Sequence, residues 1–170
     1  MLQVRRAHIH DESAAIAVIL AAMGTYGRWH PGWAVPEDAE ERERARWLVR
    51  DPAVSWLVAC MNERVVGVSR WVKSEPAVLS LLMVHPDNWG AGVGSTLHAS
   101  VSRGMIDDGL RAARLTVPED NARARRFSEH NGWRKASTPA ATHAWLELPM
   151  LEYRRAVNHV LVEGDDLLLR

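Results

Sequence analysis

The chain has a single cysteine, no surplus of either charge and no long apolar run, and each of these absences narrows its class. Cys60 cannot form a disulfide within the chain, and inside the apolar segment 56–61 we interpret it as a small buried side chain. Lysine and arginine total 21, as do aspartate and glutamate, so nothing in the charge balance favours nucleic acid or an anionic membrane as a partner. The run from Ala14 to Met23 is too short to cross a bilayer.

The eight histidines form no metal-binding pattern. They are scattered along the chain, and neither an H-E-x-x-H helix motif nor a pair of cysteines accompanies them. We therefore expect no metal cofactor.

The apolar run near the N-terminus is preceded by acids. Asp11 and Glu12 are favourable at a helix start, where aspartate can cap and glutamate meets the positive end of the helix dipole. The same acids argue against the apolar segment of a signal peptide. Ile16, Ile19 and Met23 recur at helical spacing. These features predict a helix, and we expect a cytoplasmic protein.

The most informative segment runs from residue 84 to residue 97 and has glycine at every second position, at Gly90, Gly92 and Gly94. It follows an apolar strand and precedes a helix. Glycine allows φ > 0 and a close approach to a ligand, and the free N–H groups of a helix start attract anions. Ser95 stands at the third glycine of a dinucleotide-binding turn, and the lysine of a P-loop is missing. The segment predicts a phosphate-binding turn; the alternative is a glycine-rich turn that binds nothing.

This segment resembles the acetyl-coenzyme A binding motif of the GNAT family of N-acetyltransferases. A second block, residues 115–133, resembles the family's next motif, Asn-x-x-Ala-x-x-Phe-Tyr-x-x-x-Gly-Phe, through Asn121, Ala124, Phe127 and Gly132. The resemblance implies transfer of acetyl from acetyl-coenzyme A to a primary amine of a small molecule or peptide, by direct attack in a ternary complex. The alternative is an acyl-coenzyme A binding or sensing module without catalysis.

The resemblance also implies which residues hold the coenzyme. The backbone of Met83 and Val84 would bond the pantetheine arm, the Val84 N–H would polarise the thioester carbonyl, and the N–H groups of residues 89–95 would cradle the pyrophosphate. The implied cofactor-binding set is Met83, Val84, Trp89, Gly90, Ala91, Gly92, Val93, Gly94, Ser95, Asn121 and Ser128.

The sequence departs from the family's pattern at several of these positions. Trp89 and Ala91 stand where basic or amide side chains are common, so Arg123, Arg125 or Arg126 of the next helix could meet the phosphates, or could simply be solvated. Ser128 takes the place of the tyrosine that often protonates the coenzyme A thiolate. An aliphatic hydroxyl is a much weaker acid than a phenol, so water or a neighbour such as His130 would supply the proton.

Candidates for the acceptor site come from an aromatic loop, residues 25–36. Tyr26, Trp29 and Trp33 could wall a pocket for the amine, or could only pack the loop. His30 could accept a proton near neutral pH. Glu75, just before the central strand, is a second candidate base, with a solvated turn acid as the alternative. The sequence assigns no catalytic residue among them.

The pattern of strands and helices predicts an α/β (α+β) mixed sheet in one domain, residues 1–155. Strands are expected near 2–6, 55–61, 65–72, 77–84, 114–117, 133–136 and 148–155, with helices near 12–23, 36–51, 95–110 and 121–131. By the resemblance, the central sheet is splayed, with helices on both faces. The tail, residues 156–170, would pack on a partner subunit in a homodimer or fray.

Overall fold

The chain alternates strands and helices in the predicted order, β-α-α-β-β-β-α-β-α-β-β. A computed structural model describes residues 1–49, 51–137, 142–143 and 145–157. The strands are β1 (Leu2–Arg6), β2 (Val54–Met61), β3 (Arg64–Val72), β4 (Ala77–Val84), β5 (Ala112–Pro118), β6 (Arg134–Lys135) and β7 (Met150–Ala156). The helices are α1 (Glu12–Met23), α2 (Ala39–Leu48), α3 (Val93–Asp107) and α4 (Ala122–His130).

The seven strands form one mixed sheet in the order β1-β2-β3-β4-β5-β7-β6. Neighbouring strands are antiparallel except β4 and β5, which are parallel. Strand β4 therefore lies at the centre, as its nearly continuous apolar sequence predicts for a strand covered on both faces. The parallel pair is also where the sheet comes apart.

The splay of the sheet lies between β4 and β5. Only Ala77 and Val78 of β4 pair with β5, opposite Ala113 and Arg114, and the two strands then diverge. On its other edge β4 has a register shift: Arg70 lies opposite Leu81 and Trp71 opposite Leu79. Such a bulge bends a strand and increases its local twist. The C-terminal half of β4 thus presents an open backbone edge to the gap.

Helices cover both faces of the sheet, as the resemblance implies. On one face Leu97, Val101 and Met105 of α3 enter a buried cluster with residues of β2 to β5 and β7. On the other, α1 and α2 bury residues such as Ile19 and Trp47 against β2, β3 and β4. The two layers fix the positions of the loops on either side of the gap.

Several predicted element boundaries are wrong by a few residues, for local reasons. Helix α2 begins at Ala39 instead of near Pro36, because a turn closed by the Ala39 N–H and the Pro36 carbonyl (3.0 Å) comes first. Asp11 precedes α1 but does not cap it with its side chain. Its carboxylate instead accepts from the Arg5 guanidinium at 2.7 Å and from the His8 N–H at 2.7 Å, and these contacts, that of Arg5 above all, lower the pKa of Asp11. Both carboxylate oxygens of Asp11 are thus engaged outside α1.

The local expectations for Cys60, Asn121 and Gly132 are confirmed. Cys60 is 7% exposed within β2. The Asn121 side chain caps α4 by accepting from the Ala124 N–H at 3.0 Å, and Gly132 after that helix has φ +81. No helix in the described part of the chain is long and apolar enough to span a bilayer. The tail, residues 156–170, was predicted to contact a partner subunit. All of it except residues 156 and 157 lies outside the described residues.

Candidate functional site

A cavity of about 690 Å³ occupies the gap between the splayed strands. It is walled by the C-terminal half of β4, the glycine loop, the starts of α3 and α4, the end of β5, the turn after α1 and part of the segment before β7. Ten of the eleven predicted cofactor residues line it, Ala91 being the exception. Of the predicted acceptor residues, Tyr26 and Trp29 line it, whereas His30, Trp33 and Glu75 do not.

The glycine loop has the backbone geometry that its sequence predicts. Gly90 and Gly92 have φ values of +81 and +77, which glycine adopts without strain. A Cβ built on either would meet no protein atom within 4 Å, so both glycines border open space. Helix α3 starts directly afterwards at Val93, and the first turn of a helix leaves its N–H groups without intrahelical partners. The loop and helix start can hold an anion there.

Gly94 has a different role from the two glycines before it. A Cβ at this position would lie 3.3 Å from Cε2 of Phe127 and 3.8 Å from Cγ2 of Val84. The missing side chain lets α4 approach the start of α3 closely. This glycine therefore shapes the cavity wall through packing.

Trp89 contacts both the end of β4 and two arginine side chains. Its indole N–H donates to the Val84 carbonyl at 2.9 Å, which fastens the loop to the end of β4. The Arg123 guanidinium lies 3.6 Å from the centre of the indole ring, and that of Arg28 lies 5.9 Å away. Both arginines line the cavity. Two cations therefore border the cavity beside the loop, although positions 89 and 91 themselves carry none.

The edge of β4 offers a backbone donor to the cavity. The His85 N–H donates to the Val66 carbonyl of β3 at 2.8 Å. Because backbone groups alternate between the two sides of a strand, the Val84 N–H faces the opposite side, where β5 has diverged. It is placed to donate to a carbonyl oxygen lying in the gap.

Ser128 lies against the cavity with its hydroxyl already engaged. The residue is 4% exposed, and its Oγ donates to the Ala124 carbonyl one turn earlier in α4 at 2.9 Å. His130, the predicted alternative proton donor, is exposed and does not line the cavity. Neither group is arranged as an acid facing the gap.

We expect Ser128→Ala to lower turnover by less than about tenfold, because the lost hydrogen bond serves helix α4 and not the reaction. Steady-state thiol release checks this, with thermal unfolding measured in parallel to separate a stability loss from a catalytic one. A loss beyond about a thousandfold would show that the serine proton is used after all.

Two histidines that sequence reasoning did not select, His98 and His143, line the cavity. His98 Nε2 accepts from the Trp133 indole at 2.9 Å and from the Arg155 guanidinium at 3.3 Å. Burial, and then the charge of Arg155, lower the pKa of His98 to about 4. His98 stands four residues after Gly94 on α3, so it shares the helix face that borders the loop. This spacing from Gly94 could have identified His98 as a cavity residue from the sequence.

His143 belongs to the segment between β6 and β7, whose sequence has no recognisable motif. Its Nδ1 accepts from the backbone N–H groups of Trp145 at 3.3 Å and Leu146 at 3.1 Å. Burial, with a smaller effect of the Arg46 charge, lowers the pKa of His143. Across the described ranges, no group of three or more His, Cys, Asp or Glu residues is placed to hold a metal ion.

The aromatic loop contributes part of its predicted wall. Tyr26 lies 4.7 Å from Trp29 and 5.5 Å from Trp33, measured between ring centres. Burial raises the pKa of Tyr26 to about 12. Trp33 stands behind this wall, because its indole N–H donates to the Met23 carbonyl at 3.2 Å and holds the loop against α1. His30 follows Trp29 without lining the cavity, and its Nδ1 lies 3.0 Å from Oδ2 of Asp120.

Glu75 does not line the cavity, and its exposed position fits the alternative of a turn acid. It precedes β4 at the end where that strand is still paired with β5, whereas the cavity opens toward Val84. Its carboxylate accepts from the Arg111 N–H at 3.3 Å, closing a turn. The parallel register of β4 and β5, which sequence does not reveal, decides which end of β4 faces the gap.

Comparison with known proteins connects this cleft to a family. The model of the Acetyltransferase (GNAT) family matches residues 22–133. Mycothiol acetyltransferase from Beutenbergia cavernae is 33% identical over 125 residues, 71% of this chain and 40% of that protein. Mycothiol acetyltransferase from Rhodococcus opacus is 30% identical over 146 residues, 78% of this chain and 45% of that protein. The chain therefore spans less than half the length of these relatives.

Among solved structures, the PaiA N-acetyltransferase from Thermoplasma acidophilum in complex with coenzyme A superposes with a TM-score of 0.72. The match covers 92% of this chain and 99% of that one, at 19% sequence identity. At that identity the likeness shows a shared fold.

Proposed function

This chain belongs to the acetyltransferase (GNAT) family, and from that premise we propose that it transfers an acetyl group from acetyl-coenzyme A to a primary amine. The observation that carries the proposal is the single cavity shared by the open edge of β4, the glycine loop and the start of α3. A thioester lying along β4 would place its phosphates at the loop and its acetyl group near the aromatic turn. The cofactor site and the acceptor site would thus share one cavity.

The residues present fit coenzyme A, because the space in front of Gly90 and Gly92 is free of protein atoms. The N–H groups at the start of α3 would bind the pyrophosphate, with Arg123 and Arg28 adding positive charge. Asn121 accepts its helix-capping bond through the side-chain oxygen, which leaves the side-chain NH₂ to donate to the pantetheine arm.

Acetyl transfer itself would proceed by direct attack of the amine on the thioester carbon, without a covalent enzyme intermediate. The Val84 N–H would donate to the carbonyl oxygen as negative charge develops there. Apolar side chains such as Leu81 and Met83 line this part of the cavity, and a hydrogen-bond donor is stronger in such surroundings than in water. Ser128 is too weak an acid to protonate the departing thiolate, so water would do so.

The acceptor we propose is a small molecule or peptide that carries a primary amine and has a neutral or negative net charge. Among the described residues that line the cavity, the ionised side chains are Arg28 and Arg123, and none is a carboxylate. A polycationic amine would meet like charge without a compensating acid. Tyr26 and Trp29 offer apolar surface beside these cations. The curated relatives are named for mycothiol, so a mycothiol-related amine belongs among the compounds tested.

A second candidate, an acyl-coenzyme A binding or sensing module, has one observation in its favour. Ser128 replaces the family's frequent tyrosine and spends its hydroxyl on the Ala124 carbonyl. Such a protein would keep the cofactor cavity and lack turnover.

The two candidates are separated by calorimetric titration with acetyl-coenzyme A, followed by a free-thiol assay. The amine panel should contain tryptamine, L-phenylalanine, glucosamine, spermidine, a peptide with a free N-terminus and a mycothiol-related amine. Binding with thiol release supports the enzyme, and binding without release favours the sensor. Absence of binding would remove the cofactor assignment.

Two further expectations stay predictions: a homodimer, which light scattering would test, and a cytoplasmic location.

We expect Trp29→Ala to raise the KM of the amine by about tenfold while leaving the KM of acetyl-coenzyme A nearly unchanged, since Trp29 stands at the acceptor end. Trp29→Phe, which keeps an aromatic ring, should recover most of the loss. An equal rise in both KM values would show that the loop serves the fold or the cofactor and not the acceptor.

A further inference from the structure

Three histidines stand in or beside the cleft, and the hydrogen bonds of each ring show whether it can accept a proton. A neutral imidazole carries one N–H and one lone pair, so a nitrogen that accepts a hydrogen bond places the proton on the other. The partners of His98, His143 and His30 can therefore be compared directly.

His98 and His143 have already used their lone pairs. Trp133 and Arg155 can only donate, so the Nε2 of His98 is the acceptor and its proton resides on Nδ1. The Nδ1 of His143 accepts from two backbone N–H groups, which places its proton on Nε2. Each ring can donate a hydrogen bond to a ligand, but neither has a free lone pair to take a proton.

His30 has the opposite arrangement. Its Nδ1 lies 3.0 Å from a carboxylate oxygen of Asp120, which is 90 residues away in sequence. A carboxylate can only accept, so Nδ1 carries the proton and Nε2 keeps its lone pair. The His30 side chain is 35% exposed, which leaves it accessible to water.

Both members of this pair neighbour residues that line the cavity. The His30 N–H donates to the carbonyl of Tyr26 at 2.9 Å, and Tyr26 lines the cavity. Asp120 lies between Pro118 and Asn121, which also line it. The pair thus joins the turn after α1 to the segment between β5 and α4, and both segments contribute residues to the cavity wall.

We propose that His30 is the general base of acetyl transfer and that Asp120 positions it, an inference that rests on the proposed function. The amine nitrogen forms a bond to the acetyl carbon, and its proton passes to His30 Nε2 directly or through one water. The carbon–sulfur bond breaks with its electron pair on sulfur, and solvent protonates the thiolate. The imidazolium then returns its proton to solvent, so the products are the amide and coenzyme A.

Asp120 would serve this reaction in two ways. Its carboxylate holds the imidazole in the tautomer with a free Nε2, and its negative charge stabilises the imidazolium while it exists. Arg28 of the same loop and Arg123 of α4 lie toward Trp89, so Asp120 is the charged side chain that contacts the ring among the described residues.

The test uses His30→Gln and Asp120→Asn with acetyl-coenzyme A and the panel amine that releases thiol fastest. We expect His30→Gln to lower kcat by about a hundredfold to a thousandfold and to change the shape of the kcat profile between about pH 5 and pH 9. Acetyl-coenzyme A binding by calorimetry should not change. Asp120→Asn should lower kcat less, and added imidazole should partly restore His30→Ala. His10→Gln, on an exposed residue before α1, is the matched control and should behave as wild type.

Nitrogen NMR of the labelled protein gives a readout that does not depend on turnover. The shifts of His30 should show the Nδ1-protonated tautomer in wild type and lose that bias in Asp120→Asn. Unchanged kcat and pH profile in a folded His30→Gln, or the other tautomer in wild type, would overturn the base assignment and leave the transferase proposal standing. Wild-type protein that binds acetyl-coenzyme A but acetylates no panel amine would overturn both.

Discussion

Gly92→Val is expected to weaken acetyl-coenzyme A binding by at least about a hundredfold while the protein still folds. Gly92 has φ +77 and borders open space in front of the helix start at Val93. A valine side chain would fill the space through which the pyrophosphate must approach the backbone N–H groups. Calorimetric titration with acetyl-coenzyme A measures the loss.

The same helix offers a matched control at its other end. Gly109 has φ +76, and a Cβ there also meets nothing within 4 Å, but it lies away from the cavity. Gly109→Val should incur a similar backbone strain, about 1–2 kcal/mol, and bind acetyl-coenzyme A as wild type does. If Gly92→Val binds as tightly as Gly109→Val, the loop is not the phosphate site.

Acid should destabilise the folded protein through His98 by roughly 3 kcal/mol between about pH 6.5 and pH 4. Burial and the charge of Arg155 lower the pKa of this imidazole to about 4 in the folded state, from its ordinary value of 6.5. Between these pH values the unfolded chain takes up a proton that the folded protein excludes. Stability therefore falls as pH falls through this window, and below it His98 adds no further loss.

The variant His98→Gln isolates this effect, because its amide oxygen can still accept from the Trp133 indole but does not titrate. Urea unfolding at about pH 7 and pH 4.5 should show wild type losing more stability than the variant by most of that amount. Carboxylates such as Asp11 titrate in both proteins and cancel in the difference. Parallel losses in the two proteins would mean that His98 is protonated in the folded state.

The success of sequence reasoning on the fold depends on how local each signal is. Strand β4, predicted from its apolar run, and the helix cap at Asn121 were found as expected, because each signal depends on a few neighbouring residues. The start of α2 was missed because a turn closed by the Ala39 N–H and the Pro36 carbonyl precedes the helix, and the sequence does not distinguish such a turn from a first helical turn. The splayed sheet was predicted from the family resemblance, because no local sequence pattern encodes it.

The candidate site shows the same division more sharply. Glu75 and Trp33 had suitable chemistry in the sequence, but the strand register and the contact with Met23 place them away from the cavity. His98 had a usable signal in its spacing from Gly94, and His143 had none.

By itself the sequence determined the order of the elements and the positive-φ glycine loop at the start of α3, because backbone conformation answers to short-range sterics and hydrogen bonding. It also determined that no disulfide can form within the chain. Only the tertiary structure decided that Arg123 lies over Trp89, that His30 meets Asp120, and that the lone pair of His98 is occupied. A side chain's charge, tautomer and reach depend on partners from distant segments, and folding alone brings those partners together.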